Sequence, residues 1–228
     1  MGLDRKLPAL LESKPDIAII QECAEPQVVQ RKNSAFTPAS SLWHGFSPHK
    51  GLGVASFGDY RVELDASFDE GNEIILPVRV HGPVRFNLLA VWSYNDRGKR
   101  GRRKMTGPVL RALQSSGGFC RENHPLIVAG DFNNNVIWDH RHGANKMSDI
   151  FDALEEFGLV SLYHGTRNAI RGEEEPTLYW RDRKAHGPTY HIDYIFAPKR
   201  WIQAGATLHM GEFTPHSDHI ALTLELPE

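Results

Sequence analysis

The chain has 228 residues, 40% of them hydrophobic, and a formal net charge of −2 at pH 7. This length can build one sizeable core, so we expect a single domain over residues 1–228. The near-neutral charge argues against a protein whose affinity comes mainly from neutralising many phosphates, because counterion release favours strongly basic surfaces.

The cysteine content and the hydropathy also narrow the class of protein. Cys23 and Cys120 stand far apart in the sequence, so a disulfide framework is not expected and a reducing compartment is the simpler interpretation. No apolar stretch approaches the roughly 18 residues of a membrane span, and no signal-peptide core is recognisable. We therefore expect a cytoplasmic, monomeric protein without a membrane partner.

The first half of the chain predicts one helix followed by strands. Leucines from Leu3 to Leu11 recur at helical spacing, and Pro15 ends this helix. Strands rich in β-branched and aromatic residues are then predicted at Ile17–Ile20, Leu52–Phe57, Tyr60–Leu64, Glu73–Val80 and Val84–Ala90. Because helical signals are sparse between residues 54 and 90, we expect antiparallel hairpins and a mixed sheet.

The second half begins with a basic segment, Arg97–Lys104, which carries six cations in eight positions. This segment is either a solvated loop or a loop that contacts phosphates. Beyond it the sequence predicts two helices, Lys104–Gln114 and Ser148–Phe157, and three strands, Leu126–Ala129, Ile192–Ala197 and Ile220–Leu226. No internal repeat or low-complexity linker divides the chain.

Short acidic motifs stand beside the ends of predicted strands. Glu22 follows the first strand, Asp131 and Asn133 follow the apolar run Leu126–Ala129, and Asp218 precedes the last strand. Open α/β sheets bind ligands at such strand ends. Carboxylate oxygens are also the ligands that Mg²⁺ prefers. The pattern therefore indicates a site for chemistry rather than a set of surface turns.

Four motifs in this order resemble the endonuclease/exonuclease/phosphatase family, the relatives of exonuclease III, the abasic-site endonucleases and pancreatic DNase. They are Asp16–Glu22, Gly130–Asn133, His191–Phe196 and Ser217–His219, and they span most of the chain. The resemblance implies an α/β (α+β) four-layer sandwich in which two packed mixed β-sheets are flanked by helices. It also implies a phosphodiesterase that depends on Mg²⁺, with Mn²⁺ as the alternative ion, and a phosphodiester substrate, foremost nucleic acid.

The resemblance gives the carboxylates two different tasks. Glu22 and Asp218 would bind the metal ion, which neutralises charge that develops on phosphoryl oxygens. Asp131 would position and activate the attacking water. The ligand types do not form the cysteine and histidine pattern of a structural zinc site.

The remaining motif residues would act on the phosphate. Asn133 would hydrogen-bond a non-bridging oxygen without adding a charge that must itself be compensated. His219 would stabilise charge at the phosphate, and Asp193 would orient the His219 ring and raise its basicity.

Six further residues near the motifs are candidates for substrate contact: Trp92, Tyr94, Asn95, Arg100, Trp180 and His191. Aromatic faces can stack on bases, and the alternative for each tryptophan is packing in the core or in the groove wall. Tyr94 and Asn95 stand where relatives carry a histidine or tyrosine that reaches the phosphate. His191 would touch substrate or pack beside Tyr190.

The start of the chain departs from the family pattern. Relatives open with a β-strand that carries a site asparagine, whereas this sequence begins at the helix that follows. Either the chain as given starts downstream of that strand, or it is genuinely short and its site is weakened. The first explanation is favoured, because loss of a central buried strand would leave unpaired backbone groups in the sheet. Three functions stay open: a nuclease, a phosphatase or phosphodiesterase for small or lipid phosphates, and a non-catalytic binding protein.

Overall fold

The computed structural model describes residues 2–70, 75–93, 107–180, 187–211 and 217–227. The helices are α1 (Leu3–Glu12), α2 (Pro26–Lys32), α3 (Pro108–Ser115), α4 (Gly117–Cys120), α5 (Asp139–His142), α6 (Met147–Glu156), α7 (Leu162–Arg167) and α8 (Lys199–Gln203). The strands are β1 (Ile17–Cys23), β2 (Ser40–Ser47), β3 (Lys50–Ser56), β4 (Arg61–Leu64), β5 (Ile75–His81), β6 (Phe86–Trp92), β7 (Leu126–Asp131), β8 (Leu159–Ser161), β9 (Leu178–Tyr179), β10 (Thr189–Tyr190), β11 (Asp193–Pro198), β12 (Thr207–Met210) and β13 (Leu222–Glu225).

Six strands form the main sheet, in the order β4-β5-β6-β7-β11-β8. Strands β6 and β7 are parallel neighbours, and the other adjacent strands run antiparallel. The antiparallel pairing of β4 with β5 and of β5 with β6 confirms the hairpins predicted between residues 54 and 90. Strand β6 is buried at every position, as expected for a central strand covered on both faces.

A second sheet contains three antiparallel strands in the order β1-β3-β2. Two further pairs of short strands are antiparallel, β9 with β10 and β12 with β13. The register of β1 is irregular between Ile20 and Cys23. Such irregularities bend a strand and re-aim a side chain, and here the affected residues include Glu22.

The main core lies between the two larger sheets. Leu52 and Val54 of β3 belong to one buried cluster with Val78, Leu89 and Val128 of the main sheet. Helices α3 and α6 contribute further side chains to this cluster. Burying apolar side chains in this way stabilises the sandwich by roughly 25 cal/mol per Å² removed from water.

A smaller core holds α1 against the second sheet. Leu3 and Leu7 of α1 pack with Val29 of α2, with Phe36 and with Ala55 of β3. Helices therefore cover both sheets, and the mixed four-layer sandwich predicted from the sequence is confirmed. In the described ranges, no helix has the length and apolar character needed to cross a bilayer.

Several elements were not predicted from the sequence, among them α2 and β2. Helix α2 has only seven residues, which is too short for a clear helical period, although Pro26 at its first position is a common start signal. Strand β2 has no fully buried residue, so it lacks the apolar alternation of a half-buried strand. Part of the predicted helix Lys104–Gln114 lies outside the described residues, and α3 begins at Pro108.

Candidate active site

Asp131 and Asp193 lie side by side on neighbouring strands of the main sheet. Asp131 ends β7 and Asp193 begins the antiparallel β11, where the two are direct register partners. They are only 5% and 9% exposed. His219 joins them, and one ligand atom from each of the three residues lies within 4.8 Å of the other two. Residues from three distant segments thus form one cluster.

A hydrogen-bonded turn fixes Asn133 against Asp131. The Asp131 carboxylate accepts from the backbone N–H and from Nδ2 of Asn133, both at 2.8 Å. The same Nδ2 donates to the carbonyl of Ser93 at 2.6 Å. The φ angle of Asn133 is 47°, a left-handed value that asparagine adopts more readily than most residues. The amide is therefore held beside the carboxylate.

Gly130 allows the backbone of β7 to approach β6 just before this turn. Its φ is 137°, and a Cβ at this position would lie 1.9 Å from the carbonyl oxygen of Val91. The same Cβ would lie 2.9 Å from Nε2 of Gln21. The Gln21 amide donates to the Val91 carbonyl at 3.5 Å and so links β1 to β6. Only glycine fits here without a backbone shift.

His219 is held by Asp193 and carries a proton. Its Nδ1 donates to the Asp193 carboxylate at 2.9 Å, and its backbone N–H donates to Oγ of Ser217 at 3.1 Å. Burial on its own lowers the pKa of His219. The charge of Asp193 and its hydrogen bond, with smaller contributions from Asp131 and Asp218, outweigh burial and raise this pKa to about 9. His219 is therefore a cation at neutral pH.

Asp131 has the properties of a proton acceptor. Burial raises its pKa well above that of an ordinary aspartate, and the charge of Asp193 raises it further. The charge of His219 and the N–H of Asn133 act in the opposite direction. A buried carboxylate with a raised pKa is a stronger base than an exposed one, and it can accept a proton from a water that lies within hydrogen-bonding distance.

Glu22 approaches the cluster from the second sheet. It has a φ of 53°, and its side chain is 49% exposed. A carboxylate oxygen pairs with Nζ of Lys50 at 3.1 Å. The Lys50 ammonium in turn lies 5.5 Å from the ring centroid of Trp92. Glu22 therefore presents an accessible carboxylate whose charge is balanced by a surface lysine.

The oxygen donors of the site fit a hard divalent cation. The charge of Glu22 acts on Asp131, and the charge of Asp218 acts on His219, so both carboxylates share one electrostatic environment with the buried pair. Such a set of carboxylates suits Mg²⁺ or Mn²⁺. Asp131, Asp193 and His219 also have ligand atoms close enough to hold an ion. The Nδ1 proton of His219 already bonds to Asp193, so these two side chains are engaged with each other.

The residues predicted to contact substrate lie in different environments. Trp92 and His191 are only 4% and 3% exposed, so their burial does not support direct contact with a substrate. Trp92 packs beneath Lys50, and Nδ1 of His191 donates to the carbonyl of Glu175 at 2.6 Å. Trp180 is 48% exposed. Tyr94, Asn95 and Arg100 lie outside the described residues, and so does the whole basic segment Arg97–Lys104.

Sequence reasoning missed two lysines that lie at this site. Lys50 stands at the start of β3 and pairs with Glu22. Lys6 lies in α1, and its ammonium donates to Oγ of Ser217 at 3.0 Å. Neither lysine belongs to a motif. The position of Lys6 directly before the buried Leu7 was the one available signal, because it placed the side chain at the border of the buried face of α1.

Comparisons with known proteins agree with this architecture. The structure resembles the 3′ phosphatase from Neisseria bound to a product DNA hairpin, with 16% identity, 100% of this chain and 96% of that chain covered, and a TM-score of 0.67. It resembles an AP endonuclease from Leishmania major, with 15% identity, 97% and 81% covered, and a TM-score of 0.69. It also resembles the endonuclease domain of TRAS1, a telomere-specific non-LTR retrotransposon, with 16% identity, 98% and 91% covered, and a TM-score of 0.62.

At 15–16% sequence identity, the likeness to these solved structures establishes the fold alone. No curated protein matches the sequence. The sequence profile of the Endonuclease/Exonuclease/phosphatase family, in contrast, matches residues 4–219, which contain all four motifs. The chain therefore belongs to the endonuclease/exonuclease/phosphatase family of phosphoester hydrolases.

Proposed function

We propose that this protein is a divalent-metal-dependent phosphodiesterase whose substrate is nucleic acid. The observation that carries the proposal is the convergence of Asp131, Asp193 and His219, with ligand atoms within 4.8 Å of one another. A hydrolase needs a proton acceptor and a positive group beside the reacting phosphate. Here a buried carboxylate and a protonated histidine stand next to each other.

The metal would be held by Glu22 and Asp218, with Mg²⁺ as the expected ion and Mn²⁺ as the alternative. When bound, the ion would supply charge neutralisation for the phosphoryl oxygens. Lys50 now balances the charge of Glu22 at 3.1 Å. The exposed position of that ion pair means that the carboxylate can exchange its lysine partner for an ion at small cost.

The reaction would use the buried cluster as follows. Asp131 accepts a proton from the attacking water, the water oxygen bonds to phosphorus, and the bond from phosphorus to the leaving oxygen breaks. Asn133 donates a hydrogen bond to a non-bridging oxygen, which requires its amide to exchange the Ser93 carbonyl for the phosphate. His219 stabilises negative charge at the phosphate as a cation, and Asp193 keeps its ring in place.

Nucleic acid is the preferred substrate class on two grounds. A structurally similar protein from Neisseria was solved with a product DNA hairpin. Trp180 is also 48% exposed, and exposed aromatic rings can stack on bases. The net charge of −2 indicates that affinity would come from a local surface rather than from the whole protein.

Turnover of a substrate panel tests the proposal. The panel contains labelled single-stranded DNA, duplex DNA with one abasic site, a soluble phosphoinositide and a chromogenic phosphodiester, each with Mg²⁺ or with EDTA. We expect Mg²⁺-dependent cleavage of DNA, with His219→Ala slower by about 10²- to 10⁴-fold. Faster turnover of the phosphoinositide would assign the site to lipid phosphates. Metal binding without turnover of any substrate would favour a non-catalytic binding protein.

A further inference from the structure

Lys6 connects the first helix to the last motif of the chain. Helix α1 buries Leu3 and Leu7, and Lys6 is half-buried at the edge of that face. Its ammonium donates a hydrogen bond to Oγ of Ser217 at 3.0 Å, across 211 positions of sequence. Ser217 is 7% exposed and also accepts from the N–H of His219. A lysine outside every motif is thereby held next to the candidate catalytic histidine.

The Lys6 ammonium lies among the site carboxylates but is not locked to one of them. Burial lowers the pKa of Lys6, while the charges of Asp218, Glu22 and Asp193 act to raise it, so all three lie within electrostatic reach. In the described part of the chain, none of these carboxylates forms an ion pair with Nζ within 4.0 Å. Lys50 differs, because it pairs directly with Glu22.

This arrangement leaves Lys6 with capacity for an anion. An ammonium has three N–H donors, and among the described residues Ser217 accepts one of them. Lysine is a compact point charge that suits phosphate oxygens. Carboxylates that hold a divalent ion attract a neighbouring ammonium less strongly, because their charge is then shared. The Lys6 charge would be free for a phosphate at the stage when substrate binds.

We propose that Lys6 contacts the substrate, with its ammonium bonding to a non-bridging oxygen of the scissile phosphate. The inference rests on the proposed function of the same site, and it adds a cation that comes from α1 rather than from a motif. Ser217 acts as the positioning residue, since its hydroxyl holds the ammonium on one side and the His219 backbone on the other.

A structural role for Lys6 makes different predictions. If Lys6 only ties α1 to the C-terminal motif, a neutral donor that keeps the bond to Ser217 should replace it. If its charge meets the phosphate, only another cation should replace it. Lys6→Gln keeps a donor and removes the charge, Lys6→Arg keeps the charge, and Lys6→Met removes both. Lys32→Met is the matched control, because Lys32 is exposed at the end of α2.

Equilibrium binding and turnover separate these roles. Binding of a labelled tetrathymidylate with hydrolysis-resistant phosphorothioate linkages is followed by fluorescence anisotropy in Mg²⁺. Turnover is measured on a chromogenic phosphodiester, and Mn²⁺ affinity is measured without substrate. We expect Lys6→Met and Lys6→Gln to weaken oligonucleotide binding by at least about tenfold and to lower kcat/KM further. The oligonucleotide affinity and the kcat/KM of Lys6→Arg should stay within about threefold of the wild-type values. Those of Lys32→Met should equal the wild-type values.

The Mn²⁺ measurement shows whether Lys6 acts on the phosphate or on the metal. Removing a positive charge beside carboxylates should leave Mn²⁺ affinity equal or stronger. The proposal is overturned if Lys6→Gln binds the oligonucleotide like wild type, if Lys6→Met does so, or if Mn²⁺ affinity falls by the same factor as oligonucleotide affinity. It is also overturned if wild type binds no oligonucleotide. A wild type that binds in a Lys6-dependent manner but cleaves nothing would refute the hydrolase function and retain the contact.

Discussion

The carboxylate of Asp193 accepts a hydrogen bond from Nδ1 of His219 at 2.9 Å, while the same aspartate is the register partner of Asp131. Asp193 therefore acts both on the proposed proton acceptor, Asp131, and on the proposed cation, His219. Its charge raises the pKa of His219 and adds to the effect of burial on the pKa of Asp131. The protonated histidine then balances two buried carboxylates that would otherwise repel each other.

Substituting Asp193→Asn should lower the pKa of His219 from about 9, because it removes the Asp193 charge that opposes the effect of burial. A raised histidine pKa gives stability that is complete below about pH 6.5 and is lost as pH rises through about 9. NMR titration of the metal-free protein measures the His219 pKa in wild type and in Asp193→Asn. Asp149→Asn, on an exposed position of α6, is the control. An unchanged His219 midpoint in Asp193→Asn would contradict this account.

Gly130→Ala should destabilise the protein by more than about 1 kcal/mol, because the added Cβ meets the Val91 carbonyl oxygen and the φ angle is unfavourable for alanine. Thermal unfolding followed by circular dichroism measures the change. Gly118→Ala is the matched control, since a Cβ at this position has no neighbour within 4 Å. Equal melting temperatures for the two variants would contradict the close approach between Gly130 and the Val91 carbonyl oxygen.

Glu174 is the centre of a hydrogen-bond network that is largely buried. It accepts hydrogen bonds from the Gly172 N–H at 3.0 Å and from Nδ2 of Asn135 at 3.1 Å, and it contacts Nε2 of His164 at 3.1 Å. Burial on its own raises the pKa of Glu174, but these hydrogen bonds lower it from 4.5 to about 2. The stability that ionised Glu174 provides is therefore present above about pH 4.5 and is lost as pH falls through about 2.

Glu174→Gln should therefore cost roughly 1–3 kcal/mol near neutral pH, and this difference should shrink as the pH approaches 2. Urea unfolding at several pH values gives the free energies. Glu173→Gln, at the exposed neighbouring position, should have little effect at any pH. A cost for Glu174→Gln that stays constant with pH would mean that the ionised form is not the stabilising one.

Glu22→Gln should weaken Mn²⁺ binding by at least about tenfold, because an amide is a poorer ligand than a carboxylate for a hard cation. Because the Glu22 side chain is half-exposed, the substitution should leave the fold intact. Isothermal titration with Mn²⁺ measures the effect, with Glu12→Gln at the exposed end of α1 as the control. Equal Mn²⁺ affinity in wild type and Glu22→Gln would remove Glu22 from the metal site.

The motifs were predictable because each polar group adjoins a short apolar run. Asp131 follows four buried residues of β7, Leu126–Ala129, and such a run indicates a central strand whose end faces solvent or ligand. Asp193 could be assigned beside His219 only through the family resemblance, since nothing local in the sequence relates residues so far apart. The direct register of Asp193 with Asp131 is a tertiary fact.

The features that the sequence did not predict depend on tertiary packing, which a single sequence does not encode locally. Lys6 meets Ser217 only after α1 has docked on the second sheet and the C-terminal segment has returned to the site. For Trp92 the sequence left open both stacking on a base and packing in the core, and the structure places it as the last residue of a buried central strand. Strand β2 was missed because its side chains are only partly buried.

The most direct test of the central claim is Mg²⁺-dependent hydrolysis of a chromogenic phosphodiester by wild type, by Asp131→Asn and by the exposed-turn control Asp59→Asn. Asparagine keeps the size of Asp131 but cannot accept the proton of water, so turnover should fall by about 10²- to 10⁴-fold. Asp59→Asn should hydrolyse the diester at the wild-type rate, and EDTA should abolish the activity of wild type and of Asp59→Asn. Folded Asp131→Asn that hydrolyses the diester at the wild-type rate would contradict the proposed active site.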